Sequence, residues 1–83
     1  MYIDKEIKVL GKNLFTIRKQ HNLSLIQMSK VLKINVFNLF MLEKGILLKG
    51  VNVNIIFIIH SAFGVLPKNL FIPSGVVKDM EKA

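Results

Sequence analysis

We predict an all-α fold of five short helices for this chain, which has 83 residues. Its length allows one small domain and leaves no room for a second. Apolar residues recur at intervals of three or four positions, which is the spacing of one face of a helix. Start and stop signals for helices flank these apolar segments. We therefore expect a single domain over residues 1–75, followed by a short tail over residues 76–83.

The first helix is predicted to run from Ile3 to about His21. Its apolar positions are separated by four, three, four and three residues, so they share one helix face. We expect that face to pack into the core. Its members are Ile3, Ile7, Leu10, Leu14 and Ile17.

The second helix has a detailed start signal. Ser24 precedes Gln27 by three residues, which is the spacing of a capping box. In this motif each side chain satisfies a backbone N–H that the first turn leaves without a partner. The signal predicts a short helix from about Leu25 to Leu32.

The third helix is predicted to follow a three-residue turn whose last residue, Asn35, is a favourable N-cap. Leu39 and Leu42 then share one helix face and are expected to point inward. Gly45 ends the helix, because glycine enters the left-handed conformation at little cost. Residues 24–44 therefore form two short helices joined by a tight turn, which is a helix-turn-helix pattern.

The fourth and fifth helices are predicted from weaker signals. Asn52 or Asn54 caps a fourth helix that ends near Phe63. The β-branched run at residues 55–59 suits a buried strand equally well by local propensity, but the length of the segment and its helical neighbours favour a helix. A short fifth helix is expected over Pro67–Phe71, since proline suits the first turn of a helix.

The body of the domain is almost purely cationic. Twelve Lys and Arg residues outnumber five Asp and Glu residues, which gives a net charge of +7. Glu43 is the only acidic residue between Ile7 and Val77. This charge balance favours a polyanionic partner. An AT-rich coding sequence would produce a similar excess of Lys, Ile and Asn without a functional cause.

Several classes of function are not expected. The chain has no cysteine, which excludes thiolate catalysis and cysteine-based metal sites. His21 and His60 have no carboxylate or second histidine at ligand spacing, so we expect no metal, no cofactor and no enzymatic activity. The charged start does not resemble a secretory signal, and no apolar run reaches the ~20 residues of a membrane span. We therefore expect a cytoplasmic protein.

A family resemblance extends over the chain from Leu10 to Phe71. The segments that carry it are Ile17–Ser24, Met28–Ser29, Leu32–Asn35, Leu39, Leu42–Gly45, Ile59–Val65 and Leu70–Phe71. This pattern resembles the lambda repressor and Cro type of helix-turn-helix domain, also called the XRE type. The resemblance implies a five-helix, lambda repressor-like DNA-binding domain with a central helix-turn-helix. It also implies an ion pair between Arg18 and Glu43 that ties the first helix to the end of the third.

The function implied by the resemblance is that of a small transcriptional regulator. Such a protein binds double-stranded DNA as a homodimer and places the third helix in the major groove. Lys44 and Lys49 match positions that anchor phosphates in similar domains, and Lys30 and Lys33 are weaker candidates. The expected contacts from the recognition helix to DNA are Asn35, Val36, Phe37, Asn38 and Met41.

The sequence departs from the family pattern at positions that bear on DNA reading. Leu25 replaces the Gln that usually contacts phosphate, and Lys33 replaces the turn Gly, at a cost of roughly 1 kcal/mol if Lys33 is left-handed. Base edges are read mainly by Arg, Lys, Asn and Gln, but only Asn38 is polar among five positions expected to be exposed on the third helix. We therefore expect poor direct reading of bases. The five positions are Val36, Phe37, Asn38, Phe40 and Met41.

The alternative function is a protein-interaction or dimerisation module on the same scaffold. In that case the third helix docks a partner through Phe37, Phe40 and Met41, since aromatic and Met side chains are typical interface anchors. Binding to an anionic membrane surface is a third reading, but the chain lacks a segregated amphipathic helix.

The fourth helix is apolar nearly all round, so we expect it to be covered on more than one side. A homodimer interface, a groove for another protein and a drift in composition would each account for this feature. The expected dimer or partner interface comprises Phe40, Ile55 and Ile58.

Overall fold

The computed structural model describes residues 5–73, which form four α-helices and one short 3-10 helix. The all-α fold class is confirmed for this range, and residues 55–59 are helical rather than extended. The expected helix start at Ile3, the domain boundary at residue 75 and the tail over residues 76–83 lie outside the described residues. Helices α1 to α4 span Lys5–Gln20, Leu25–Leu32, Val36–Glu43 and Ile55–Phe63, and the 3-10 helix spans Pro67–Phe71.

The short fifth helix expected over Pro67–Phe71 is present at these residues but is a 3-10 helix, so residues 5–73 form four α-helices and not five. Its hydrogen bonds run three residues back: the N–H of Asn69 donates to the Leu66 carbonyl at 2.9 Å, and the N–H of Ile72 donates to the Asn69 carbonyl at 3.3 Å. A segment of five residues that begins with proline has few N–H groups to donate to α-helical bonds. The tighter turn satisfies them instead.

The core lies where one face of each helix meets its neighbours. α1 packs against α3 and the 3-10 helix, while α2 packs against α3 and α4, and α4 also packs against the 3-10 helix. Leu39 and Leu42 point inward as predicted, and Leu10, Leu14 and Ile17 bury the predicted face of α1. The largest fully buried side chains are Leu14, Met28, Leu32, Leu39, Leu42, Ile59 and Leu70.

Local hydrogen bonds define where α2 and α3 begin. The N–H of Gln27 donates to Ser24 Oγ at 3.1 Å, and the N–H of Ser24 donates to Gln27 Oε1 at 2.9 Å. The predicted capping box is therefore complete. At the start of α3 the N–H of Phe37 donates to Asn35 Oδ1 at 2.7 Å, which confirms Asn35 as the N-cap.

The start of α4 is organised by Asn52 rather than by Asn54. Asn54 makes no side-chain capping bond to the helix. Its own N–H donates to Asn52 Oδ1 at 2.8 Å, which closes a turn just before α4. Gly64 ends the helix with a φ of 71°, in the left-handed conformation that glycine adopts without strain.

Helices α2 and α3 form a helix-turn-helix unit. The pair is bent by 104° across the turn at residues 33–35, which is typical of such units. Lys33 has a φ of 59° and a ψ of 39°, so this lysine carries the left-handed strain expected for it.

Among residues 5–73 no single helix has the length and apolar composition needed to cross a membrane. Helices α2 and α3 meet both requirements only when they are taken together, and the bend of 104° lies between them.

Helix α1 holds both α3 and the 3-10 helix in place. Gly11 lies so close to the Leu42 carbonyl oxygen that a methyl group at this position would overlap that oxygen. The buried Asn13 donates from Nδ2 to the carbonyl oxygens of Leu70 at 2.7 Å and Ile72 at 2.9 Å. The orientation of α3 therefore depends on contacts made by α1.

Candidate nucleic-acid interface

The outer face of α3 is apolar and open to solvent. Phe37 is 57% exposed, and Val36 and Phe40 are exposed as well, whereas Leu39 and Leu42 on the inner face are fully buried. The exposure predicted for these three apolar residues is confirmed. Their side chains can contact thymine methyl groups but cannot form a hydrogen bond with a base edge.

The polar groups of α3 and its cap are few. Asn35 is exposed, but its Oδ1 accepts the capping bond from the Phe37 N–H, so only its amide Nδ2 has no partner among the described residues. Asn38 and Met41, which were expected to be exposed, are half-buried. Hydrogen bonding to bases from this helix is therefore confined to the Asn35 amide and the accessible part of Asn38.

Arg18 and Glu43 form the ion pair that the family resemblance implies. Arg18 Nε lies 2.8 Å from Glu43 Oε2, and Arg18 Nη2 donates to Glu43 Oε1 at 3.0 Å. The two side chains are only 9% and 7% exposed, and Arg18 Nη1 donates further to the Leu23 carbonyl at 3.1 Å. This bidentate geometry fixes the end of α3 to α1, and the bond to the Leu23 carbonyl attaches Arg18 to the segment just before the N-cap of α2.

The lysines around the helix-turn-helix have no acidic partner. Glu43 is the only acid between Ile7 and Val77, and both of its carboxylate oxygens are engaged by Arg18. No lysine among residues 5–73 forms an ion pair. The positive potential of the unit is therefore not compensated by nearby carboxylates. The exposed lysines on or next to α2 and α3 are Lys30, Lys33, Lys44 and Lys49.

Two exposed aromatic rings lie close to cationic groups. Lys44 Nζ is 4.8 Å from the centre of the Phe40 ring on α3. On α1, Phe15 has Lys19 Nζ at 5.5 Å and Arg18 Cζ at 5.3 Å from its ring centre. Phe15 was not among the predicted site residues, although its spacing of four residues to Lys19 predicts such a contact between ring and cation on a helix.

The start of α2 offers little to a phosphate. Leu25, which stands where similar domains carry Gln, is half-buried and packs against the core. Ile26 is exposed but apolar, and Gln27 Oε1 accepts from the Ser24 N–H, so the Nε2 amide of the exposed Gln27 is the side-chain donor that this turn offers. Phosphate contacts by this unit would therefore come chiefly from its lysines.

The three residues expected at a dimer or partner interface differ in their exposure. Phe40 is exposed on α3, and Ile58 is half-buried on α4. Ile55 is buried, so its assignment to the interface is wrong. It lies in the first turn of α4 on the same face as Ile59, and both side chains are part of the core.

Two other residues form the apolar surface at α4. Val53, just before the helix, and Phe57, within it, are strongly exposed. Sequence analysis did not single them out, because an apolar pattern all round a helix does not indicate which face is covered. Only the exposed fractions distinguish the two faces.

Comparison with family models, with curated proteins and with solved structures finds no match to the chain. Within the range that the structure describes, no three His, Asp or Glu side chains are grouped so that they could hold a metal ion. The function must therefore be inferred from the geometry and charge of the α2–α3 unit.

Proposed function

We propose that this protein is a small DNA-binding transcriptional regulator of the lambda repressor and Cro type that acts in the cytoplasm as a homodimer. The observation that carries the proposal is the pairing of Glu43 with Arg18. Glu43 is the only acid between Ile7 and Val77, and Arg18 engages it in a buried ion pair. Among residues 5–73, therefore, no exposed lysine next to α3 is paired with a carboxylate that would compete with phosphate.

The arrangement of α2 and α3 supports entry of α3 into the major groove. A bend of 104° between the two helices is the geometry in which the second helix of such a unit projects towards DNA. Lys44 follows the last residue of α3, and Lys49 lies in the loop beyond it. In this pose both would anchor phosphates, and affinity would come chiefly from such contacts.

Sequence discrimination would be modest in this proposal. Val36, Phe37 and Met41 offer apolar contacts to thymine methyl groups, while Asn35 and Asn38 supply the polar ones. Single contacts of this kind discriminate less between bases than the bidentate hydrogen bonds that Arg forms with guanine. The deformability of DNA would then contribute to the choice of site.

The test measures binding of the full chain to a pooled random duplex of about 30 bp by fluorescence anisotropy, over a range of salt concentrations. We expect submicromolar affinity at about 150 mM salt, or selection of a palindrome from the pool, either of which exceeds non-specific binding. Lys44→Ala and Lys49→Ala should each lower the salt slope by about 0.9.

Lys68→Ala is the matched control. Lys68 is exposed on the 3-10 helix, which packs against α1 and α4, so the variant removes one charge without changing the surface of α3. Its salt slope should stay near that of the unchanged protein. If the Lys44 and Lys49 variants have the same salt slope as the Lys68 variant, Lys44 and Lys49 do not contact phosphate. Weak binding that disappears as salt rises would contradict the proposed function.

The second candidate function is a protein-interaction module, and one observation favours it. Phe37, Val36 and Phe40 expose an apolar surface on the helix that should read DNA. Aromatic side chains of this kind are common anchors at protein interfaces. This candidate takes precedence if the protein shows only weak, salt-sensitive binding to DNA.

A further inference from the structure

The chain segment that contains α4 carries no formal charge, in contrast to the rest of the domain. From Gly50 to Pro67 the chain contains no Lys, Arg, Asp or Glu residue, and Lys49 and Lys68 are the first charged residues on either side. The chain as a whole has a net charge of +7. A long uncharged segment is therefore the exception in this sequence.

The outer side of α4 is also the most exposed apolar surface among residues 5–73. Val53 is 72% exposed and Phe57 is 63% exposed, the two highest values for large apolar residues in that range. The opposite side of the helix places Ile55 and Ile59 in the core. The inner face of α4 thus has a partner within the chain, while the outer face has none among the described residues.

The spacing on this face suits self-pairing. Val53, Phe57 and Ser61 follow one another at intervals of four residues, which places them along one side of the helix and of the turn before it, with the exposed His60 beside them. A second copy packed antiparallel across a two-fold axis at Phe57 would set the two Phe57 rings together. Val53 of each copy would then face Ser61 of the other, where a small side chain leaves room for it.

The charge distribution favours a second copy as the occupant over an acidic partner. An acidic partner would be attracted to the lysines around α3 and would gain nothing from a surface without charge. Two copies that each carry +7 repel one another wherever lysines meet, so they can come into contact at lowest cost where neither has charge. The uncharged apolar surface satisfies this condition.

We infer that Val53, Phe57 and Ser61 form a two-fold interface between two copies of this chain. The inference rests on the dimeric state proposed above but does not depend on DNA binding. It replaces Ile55 with Phe57 as the apolar centre of the interface. Phe40 on α3 is left free to contact another partner.

Sedimentation equilibrium of the full chain tests the inference. We expect a dimer at about 100 μM protein, and we expect Phe57→Lys to weaken the dimer at least about tenfold. Phe37→Lys is the matched control, because Phe37 is similarly exposed and the substitution adds the same charge on α3 instead of α4. It should leave the dimer unchanged. Circular dichroism confirms that each variant is folded, and Ser61→Lys, which should also weaken the dimer, replaces Phe57→Lys if that variant unfolds.

A change in salt concentration distinguishes this inference from the proposed function. Raising the salt from about 0.05 to 0.5 M screens the repulsion between copies and should strengthen the dimer, whereas the same change should weaken DNA binding. A monomeric wild-type protein at high salt would overturn the inference. A dimer that survives Phe57→Lys but is lost in Phe37→Lys would also overturn it and would place the interface on α3.

Discussion

Substitution of Gly11 by alanine tests the contact that orients α3. In an ordinary exposed helix, this change stabilises a protein by about 1 kcal/mol, because alanine has the higher helix propensity. In this protein, however, the added methyl group would overlap the Leu42 carbonyl oxygen and lie 3.2 Å from the carbonyl carbon and oxygen of Glu43. The neighbouring atoms belong to the backbone, which cannot rotate away as a side chain can.

The expected effect of Gly11→Ala is a net loss of stability. To restore ordinary van der Waals distances, α1 and the end of α3 would have to separate by more than about 1 Å, which weakens the contacts that surround Gly11. Overpacking of this kind costs about 1 to 3 kcal/mol, and contact with backbone favours the upper part of that range. After subtraction of the gain in helix propensity, we expect a loss of about 1 to 2 kcal/mol.

Urea denaturation followed by circular dichroism measures this loss at a fixed protein concentration. With a slope near 1 kcal/mol per molar urea for a chain of this size, the midpoint should fall by about 1 to 2 M. Lys12→Ala, at the next and exposed position of α1, is the control and should change the midpoint little. An alanine variant as stable as the wild type, or more stable, would show that α1 does not lie against the Leu42 carbonyl.

Two further predictions concern the ion pair and the turn. Glu43→Gln leaves the buried Arg18 without its anionic partner and should cost about 3 to 5 kcal/mol in urea denaturation; a loss below about 1 kcal/mol would contradict the buried pairing. Glu6→Gln, at an exposed acid of α1, should change stability little. Lys33→Gly should stabilise the protein by about 1 kcal/mol, since it relieves a left-handed lysine. Lys30→Gly removes the same charge from within α2 and should destabilise the protein by a similar amount; equal effects of both glycine variants would contradict the assigned turn.

Short-range signals predicted the helix-turn-helix well. The capping box of Ser24 and Gln27 and the cap at Asn35 involve groups two or three residues apart, so the sequence contains both partners of each hydrogen bond. For the same reason the bounds of α2 and α3 agree with prediction. The pairing of Arg18 with Glu43 spans 25 residues and was predictable only through the family resemblance.

Long-range packing accounts for what the sequence did not predict. Because α4 is apolar on every side, its periodicity could not show that Ile55 is buried and Phe57 is exposed. The sequence around Asn13 does not predict that its amide donates to the carbonyl groups of Leu70 and Ile72, since these acceptors lie 57 and 59 residues away.

The sequence by itself determined the helical class, the starts of α2 and α3 and the cationic character of the domain, because each depends on composition or on atoms a few residues apart. Only the tertiary structure decided which side of α4 faces solvent and how closely α1 approaches the Leu42 carbonyl at Gly11. These properties depend on which surfaces meet in three dimensions. The free energy of burial is summed over contacts between distant segments, which no local pattern in the chain contains.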